Sequence, residues 1–166
     1  MSGNSEQEAL LRRLLDEQAI HRLVAAYSHA VMRLDGVAAS QVYTEDGVLS
    51  AFNGPEIRGR EAIAAAFVAT FAPIRSIVQT CAAGVIDIMG DTARASWSVT
   101  ELLHNKDKEH LSFCLGNYDD QLVRTADGWR FAYRRFNPFY RGSVETTARQ
   151  YDITVPPHLY APWPPG

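Results

Sequence analysis

The sequence predicts an α+β domain with N-terminal helices packed in a strongly curved sheet, and three observations carry that prediction. Apolar residues recur at helical spacing through the first part of the chain. From residue 74 onward the pattern changes to alternation with a period of two. The helical segments come first and a meander of long strands follows, the order of α+β rather than of alternating α/β proteins. At 166 residues, 46% hydrophobic and 21% charged, the chain fits one soluble domain with a substantial core.

Leu10, Leu11, Leu14, Leu15, Ile20, Leu23, Val24, Tyr27 and Val31 predict a helix over 6–34, with Gly36 able to end it. A short second helix is expected over 38–43. Thr44-Glu45-Asp46-Gly47 reads as a turn into a strand over 48–52, and Asn53-Gly54-Pro55 as another turn. Gly59-Arg60-Glu61 opens an alanine-rich third helix over 60–71, stopped by Pro73. Strands are expected over 74–88, broken near Gly84, then 92–103, 110–124 and 129–136. Met89-Gly90-Asp91 and Asp127-Gly128 supply hairpins, and Asn105-Lys106-Asp107-Lys108 a polar turn. Such an antiparallel or mixed sheet, wrapped around the helices as a cone, encloses an apolar cavity. The tail from Thr154 interleaves prolines with Leu159, Tyr160 and Trp163 and favours an extended path. Two regions follow: a domain over 1–140, and an extension over 141–166 that covers the cavity or a dimer interface.

A net charge of −3, with arginine pairs only at Arg58/Arg60 and Arg134/Arg135, argues against a nucleic-acid surface. No apolar run approaches the roughly 20 residues of a membrane span. The polar, acidic first residues lack the pattern of a signal peptide, so a cytoplasmic location is expected. Cys81 and Cys114 form no metal or redox spacing and read as free buried thiols. His104 and His110 flank a turn in a way that suits a surface hairpin better than a metal site. With no nucleotide-binding glycine motif either, no metal and no cofactor are expected.

Glu101 is the residue most informative about function. Ala93, Ala95, Trp97 and Val99 share one face of a strand, and a regular continuation sends Glu101 inward after them. A buried carboxylate is costly unless it shifts its pKa or finds a partner, and such groups cluster at functional sites. The plainer alternative is that the strand ends or bulges near Thr100 and Glu101 turns to water.

Six segments together resemble a SnoaL-like domain of the NTF2-like superfamily. They are Tyr27-Ser28-His29-Ala30, Val42-Tyr43-Thr44-Glu45-Asp46-Gly47, Ile57-Arg58-Gly59-Arg60-Glu61-Ala62-Ile63, Gly90-Asp91-Thr92-Ala93, Gly116-Asn117-Tyr118-Asp119-Asp120 and Asp127-Gly128-Trp129-Arg130. Their order and spacing over about 19–136 carry the likeness. The resemblance implies a cone-shaped fold, a small dimer, and cofactor-free chemistry on a hydrophobic small molecule, as in polyketide cyclases, dehydratases, isomerases and dehydrohalogenases. Non-catalytic relatives exist too, among them dioxygenase small subunits, so the fold alone does not decide. Dehydratase-like relatives place an aspartate where Met32 stands and a histidine where Gln79 stands. A shift of one helical turn would bring in His29 or Asp35. His29, however, points about 200° from Tyr27 on an ideal helix, and an aspartate before glycine is commonly a cap. Glu101 matches a position where a bile-acid-dehydratase-like relative carries a functional aspartate.

Glu101, Tyr27, His29 and Asp35 are therefore the candidate catalytic residues. Tyr27 is expected to donate to a substrate oxygen. Met32, Tyr43, Gln79, Trp97, Phe113, Asn117 and Arg135 are candidates for the substrate-binding wall. Arg135 shares the expected inward face of Trp129, Phe131 and Tyr133, where it could pair with Glu101. The two readings are a cofactor-free dehydratase, isomerase or cyclase for a polycyclic or polyketide-like molecule, and a non-catalytic binding or assembly subunit.

Overall fold

The computed structural model describes residues 2–51, 54–108 and 110–144. In chain order the elements are α1 (Ser2–Met32), α2 (Gly36–Ser40), β1 (Tyr43–Ala51), β2 (Ile57–Arg58), α3 (Arg60–Phe71), β3 (Ile74–Met89), β4 (Thr92–Asn105), β5 (Leu111–Thr125) and β6 (Gly128–Val144). The six strands form one open sheet in the order β2-β1-β6-β5-β4-β3. Only β1 and β6 run parallel; the other neighbours are antiparallel. The α+β architecture is as expected, and the sheet is mixed.

α1 lies against the sheet through Ile20, Leu23, Val24, Tyr27, Ala30 and Val31, all at most 9% exposed. This stripe repeats at three and four residues, so burial of one helical face holds the element in place. Leu10, Leu11, Leu14 and Leu15 share the periodicity yet are 57–63% exposed. Periodicity specifies a helix; burial needs a surface opposite. The helix is also tied down by Asp16, which accepts a bidentate pair from Arg124 at 2.7 and 2.6 Å and a third bond from the Trp129 indole at 3.1 Å.

Four expectations about local structure change. α1 ends through Leu34, in the left-handed region at φ 56, with Asp35 N–H donating to Ala30 at 3.0 Å. Gly36 instead opens α2, where a Cβ would sit 2.7 Å from the backbone nitrogen of Val68 on α3. Thr44 to Gly47 form no turn between elements. They belong to β1, whose advance from Tyr43 to Val48 matches only Phe131 to Tyr133 on β6, so the extra residues bulge. Tyr43 accordingly begins a strand instead of ending the second helix.

The third change bears on the site. Leu122 pairs with Phe131 but Gln121 pairs with Tyr133, which leaves an extra residue on β6. A bulge of this kind reverses which residues face inward. Arg134 is therefore fully buried, and Arg135 is exposed instead of facing the core with Trp129 and Phe131. Fourth, β6 continues through Pro138 to Val144, past the expected end at 136 and past residue 140. Phe52, where a strand was expected to end, Asn53 of the expected turn and the proline-rich tail lie outside the described residues.

β3 is interrupted where the sequence suggested it. Its register shifts between Ala82 and Val85, and Ala83 has φ 49. Gly84 there lets the buried Trp97 ring approach, since a Cβ would stand 2.1 Å from Trp97 Cζ3. Gly84→Ala should accordingly destabilise the fold by about 1–3 kcal/mol through overpacking, read as a lower urea midpoint. Asp16 gives a second expectation. The Arg124 hydrogen bond holds its carboxyl below the ordinary value. A lowered folded pKa contributes stability above the unfolded pKa, and that contribution is lost as pH falls through the folded value. The stability gap between wild type and Asp16→Asn should be widest near neutrality and close below about pH 4, as followed by denaturation across pH.

Candidate active site

α1, α3 and the concave side of the sheet enclose a cavity of about 530 Å³, within the range of small-molecule pockets. Its walls are mainly aliphatic and aromatic, with Val31, Leu49, Phe67, Phe71, Ile77 and Phe136 among them. Across this apolar floor runs one polar row. Gln79 pairs with Glu101, Glu101 with Cys114, and Cys114 with Arg141, across β3, β4, β5 and β6. Directly opposed residues share a face, so all four line the cavity.

Glu101 is the carboxylate of this row. Gln79, only 3% exposed, donates its side-chain N–H to Glu101 Oε1 at 2.7 Å. Gln79 also donates to the Tyr118 hydroxyl at 3.2 Å, and its own oxygen accepts from Cys81 Sγ at 3.7 Å. Tyr118 and Tyr27 hydroxyls are 3.3 Å apart. Glu101 thus heads a chain of hydrogen bonds that ends at Tyr27. Burial raises the Glu101 pKa above the ordinary value; the Gln79 bond and the charge of Arg141 work against that rise. A carboxylate in this setting is a stronger base than one in water. Burial likewise pushes the Tyr27 phenol up to about 12 and Tyr118 well above its usual value, so both are neutral O–H donors at physiological pH.

Behind the two tyrosines sits Arg134. It gives Asp120 two hydrogen bonds of 2.7 Å, and neither side chain reaches solvent. Its guanidinium carbon lies 4.4 Å from the Tyr27 ring centre, 4.2 Å from Tyr118 and 3.9 Å from Phe131. Burial by itself favours neutral groups, but the Asp120 charge and hydrogen bonds keep Arg134 protonated.

Of the residues anticipated from sequence, Glu101, Tyr27, Gln79 and Phe113 line the cavity. The strand holds its regularity past Thr100, which is why Glu101 points inward. The others stand elsewhere. His29 and Met32 are half-buried and absent from the lining, because Tyr27 and Val31, four residues apart, take the inward stripe. Asp35 caps α2, its Oδ1 accepting from Ala38 N–H at 2.9 Å. Tyr43 is fully buried against Phe131, and Trp97 packs under Gly84; neither reaches the cavity wall. Asn117 is on the opposite face, bonded to Ser96 and Asp119. Arg135 is exposed, so it does not pair with Glu101.

Arg141 and Arg134 were not anticipated, and Tyr118 was expected on the face opposite Asn117 and away from the cavity, whereas it lines the cavity and Asn117 does not. Tyr118 was legible: Cys114, Gly116, Tyr118, Asp120 and Leu122 alternate on β5, and two apolar ends of that series mark its face as buried. Arg141 was hidden by Pro138, which reads as a strand terminator. Arg134 was hidden by the β6 bulge. Among the described residues, no three His, Cys, Asp or Glu side chains come together as a metal site, and no helix is long and apolar enough to cross a membrane.

Residues 12–135 match the family model described as a SnoaL-like domain. No curated protein is matched in sequence. A protein proposed to be an aromatic ring hydroxylase from Novosphingobium aromaticivorans is similar at 25% identity and TM-score 0.74, over 79% of this chain and 94% of that one. A proposed scytalone dehydratase from the same species shares 18% identity with TM-score 0.75, over 82% and 92%. The hexachlorocyclohexane dehydrochlorinase LinA-type3 of Novosphingobium barchaimii shares 14% identity with TM-score 0.74, over 87% and 99%.

The raised Glu101 pKa carries a stability consequence. Below the ordinary carboxylate value both folded and unfolded Glu101 are neutral and nothing is lost. As pH rises through the folded pKa, the buried group must ionise and the fold becomes less stable. Glu101→Gln removes that penalty. The variant should therefore be more stable than wild type at pH 7, with the difference vanishing below about pH 4, when urea midpoints are compared.

Proposed function

The chain belongs to the SnoaL-like domain family, of NTF2-like fold, and within it we propose that the protein is a cofactor-independent acid–base enzyme acting on a hydrophobic small molecule. The observation that carries this reading is a carboxylate, Glu101, held in an apolar cavity by one amide hydrogen bond and facing a tyrosine pair. Glu101 removes a proton from substrate carbon. The electron pair of the broken C–H bond shifts toward an adjacent carbonyl, and a tyrosine O–H stabilises the charge on its oxygen. Returning the proton at another carbon completes an isomerisation; loss of a neighbouring hydroxyl as water, with that proton, completes a dehydration. Polycyclic or polyketide-like substrates fit the cavity volume and its apolar wall. Enclosure supplies positioning, and Arg141 at the rim is placed to meet polar substituents.

A homodimer forms part of the proposal. Val78 pairs with Leu102, and Leu115 with Tyr140, on the face away from the cavity, all of them 39–68% exposed. A second copy covering that patch would remove apolar area from water. The extension over 141–166 starts where Arg141 and Gly142 line the cavity, which supports its reading as a cover for the cavity or the interface.

A second reading has its own observation. The resemblance puts Met32 and Gln79 where dehydratase-like relatives carry aspartate and histidine, and the amide of Gln79 on the cavity wall cannot act as a base, which favours a binding or assembly subunit without turnover. Native mass spectrometry of the purified protein, followed by assay of whatever hydrophobic molecule is released, separates the two. The enzyme reading expects turnover of that molecule or its close analogues. Glu101→Gln should then lose about 10²–10⁴-fold in rate while still binding it. Ligand release with no turnover by wild type, or an unchanged rate in the variant, would sink the assignment of Glu101.

A further inference from the structure

Arg141 stands at the mouth of the cavity because the local sequence turns it inward. Phe136 is buried and lines the cavity, so strict alternation along β6 would send Pro138 and Tyr140 the same way and Arg141 outward. The register shifts first. Gly116 pairs with Pro138 but Leu115 pairs with Tyr140, which leaves Phe139 as an extra residue. Two residue types permit this. Pro138 has no N–H to give to a ladder and is tolerated at a bulge. Gly116 lets β6 pass close by, since a Cβ there would stand 2.4 Å from the Asn137 carbonyl oxygen. Past the bulge Arg141 pairs with Cys114 and lines the cavity, while Tyr140 is 68% exposed.

Arg141 brings a permanent charge to that wall. It is open to solvent, with its guanidinium carbon 5.8 Å from the Phe136 ring centre. Among the described residues the ion pairs take up Arg13, Arg33, Arg58, Arg124 and Arg134, and Arg141 is in none of them. The other charged side chain of the lining is Glu101. In the proposed reaction Glu101 becomes neutral on taking a proton, and Arg141 is then the one charge on the wall. Beyond the row of Glu101, Cys114 and Arg141 the same face turns polar. Asn105, four residues past Glu101 on β4, and Ser112, two before Cys114 on β5, both line the cavity. Glu101 and Arg141 are two strands apart, so about 10 Å separates their backbones. An apolar body fits between them.

We propose that the ligand of this cavity is an amphipathic acid, an apolar body with a carboxylate at one end that the Arg141 guanidinium binds at the mouth while the body lies across the Glu101 row. This ligand class rests on the cavity reading of the proposed function and names the end of the molecule that does not react. A guanidinium fork matches a carboxylate in two parallel hydrogen bonds, which are stronger than bonds to a neutral group. Arg141 is thereby a specificity-determining residue, and it selects acids over the corresponding amides, esters and hydrocarbons.

Naphthylacetate and its neutral isostere naphthylacetamide test it, by calorimetry on the full chain near neutral pH; neither measurement needs turnover. Wild type should bind the acid about threefold to tenfold more tightly than the amide, the effect of a partly exposed charge-assisted pair. The chain carries a net charge of −3, which works against anions in general, so such a preference has a local origin. Arg141→Met keeps an apolar stem beside Phe136 and should bind the amide as wild type does while losing the preference. Arg141→Lys keeps the charge without the fork and should retain part of it. Equal affinity of wild type for the two probes overturns the acid ligand and leaves the cavity reading standing. A preference that survives Arg141→Met overturns the role of Arg141. Failure of wild type to bind either probe overturns the cavity reading and the acid ligand with it.

Discussion

The buried pair of Arg134 and Asp120 is the constraint around which the rest of the molecule is arranged. Taking two charges out of water costs several kcal/mol each, and Coulomb attraction offsets that only with good geometry and further hydrogen bonds. Here the geometry is a bidentate fork with both contacts at 2.7 Å. The pair joins β5 to β6, and three aromatic rings close around the guanidinium. Tyr27 reaches it from α1 and Tyr118 from β5, so one cation fixes the helix relative to the sheet. The bulge on β6 is what makes this arrangement attainable, because without it Arg134 would face solvent.

The same cluster sets the chemistry of the cavity. With Arg134 shielded by the tyrosines, the charged side chains that line the cavity are Glu101 and Arg141, beside neutral hydroxyls. Gln79 connects the two ends, donating to Glu101 and to Tyr118 at once. An amide cannot serve as a base near neutral pH, but it can hold a carboxylate in a fixed orientation. In the proposed reaction Glu101 carries the proton transfer and Gln79 orients it, a division of labour unlike that of an aspartate–histidine pair. Burial makes Glu101 more basic, while Arg141 and the amide keep that rise within bounds. Stability and reactivity oppose each other at this residue, as they commonly do where a charge is held in an apolar pocket.

The sequence by itself determined the elements and the fold class. Helical periodicity, alanine content, Pro73 and two glycine turns are local signals, and they marked α1, α3 and the four long strands. Alternation along β4 placed Glu101 inward, since strand parity is set by neighbouring residues alone. The family likeness was also legible, because it depends on order and spacing. Only the tertiary structure decided which arginine is buried and which tyrosines meet. One extra residue on β6 reversed the parity that put Arg135 inside, and such a bulge depends on pairing with β5, which no local pattern encodes. The meeting of Tyr27 and Tyr118, 91 positions apart in the chain, and the four-strand row from Gln79 to Arg141 are likewise products of register between distant segments. Leu10 to Leu15 make the same point in reverse: their periodicity is local and holds, but their burial required an opposing surface that the fold does not place there.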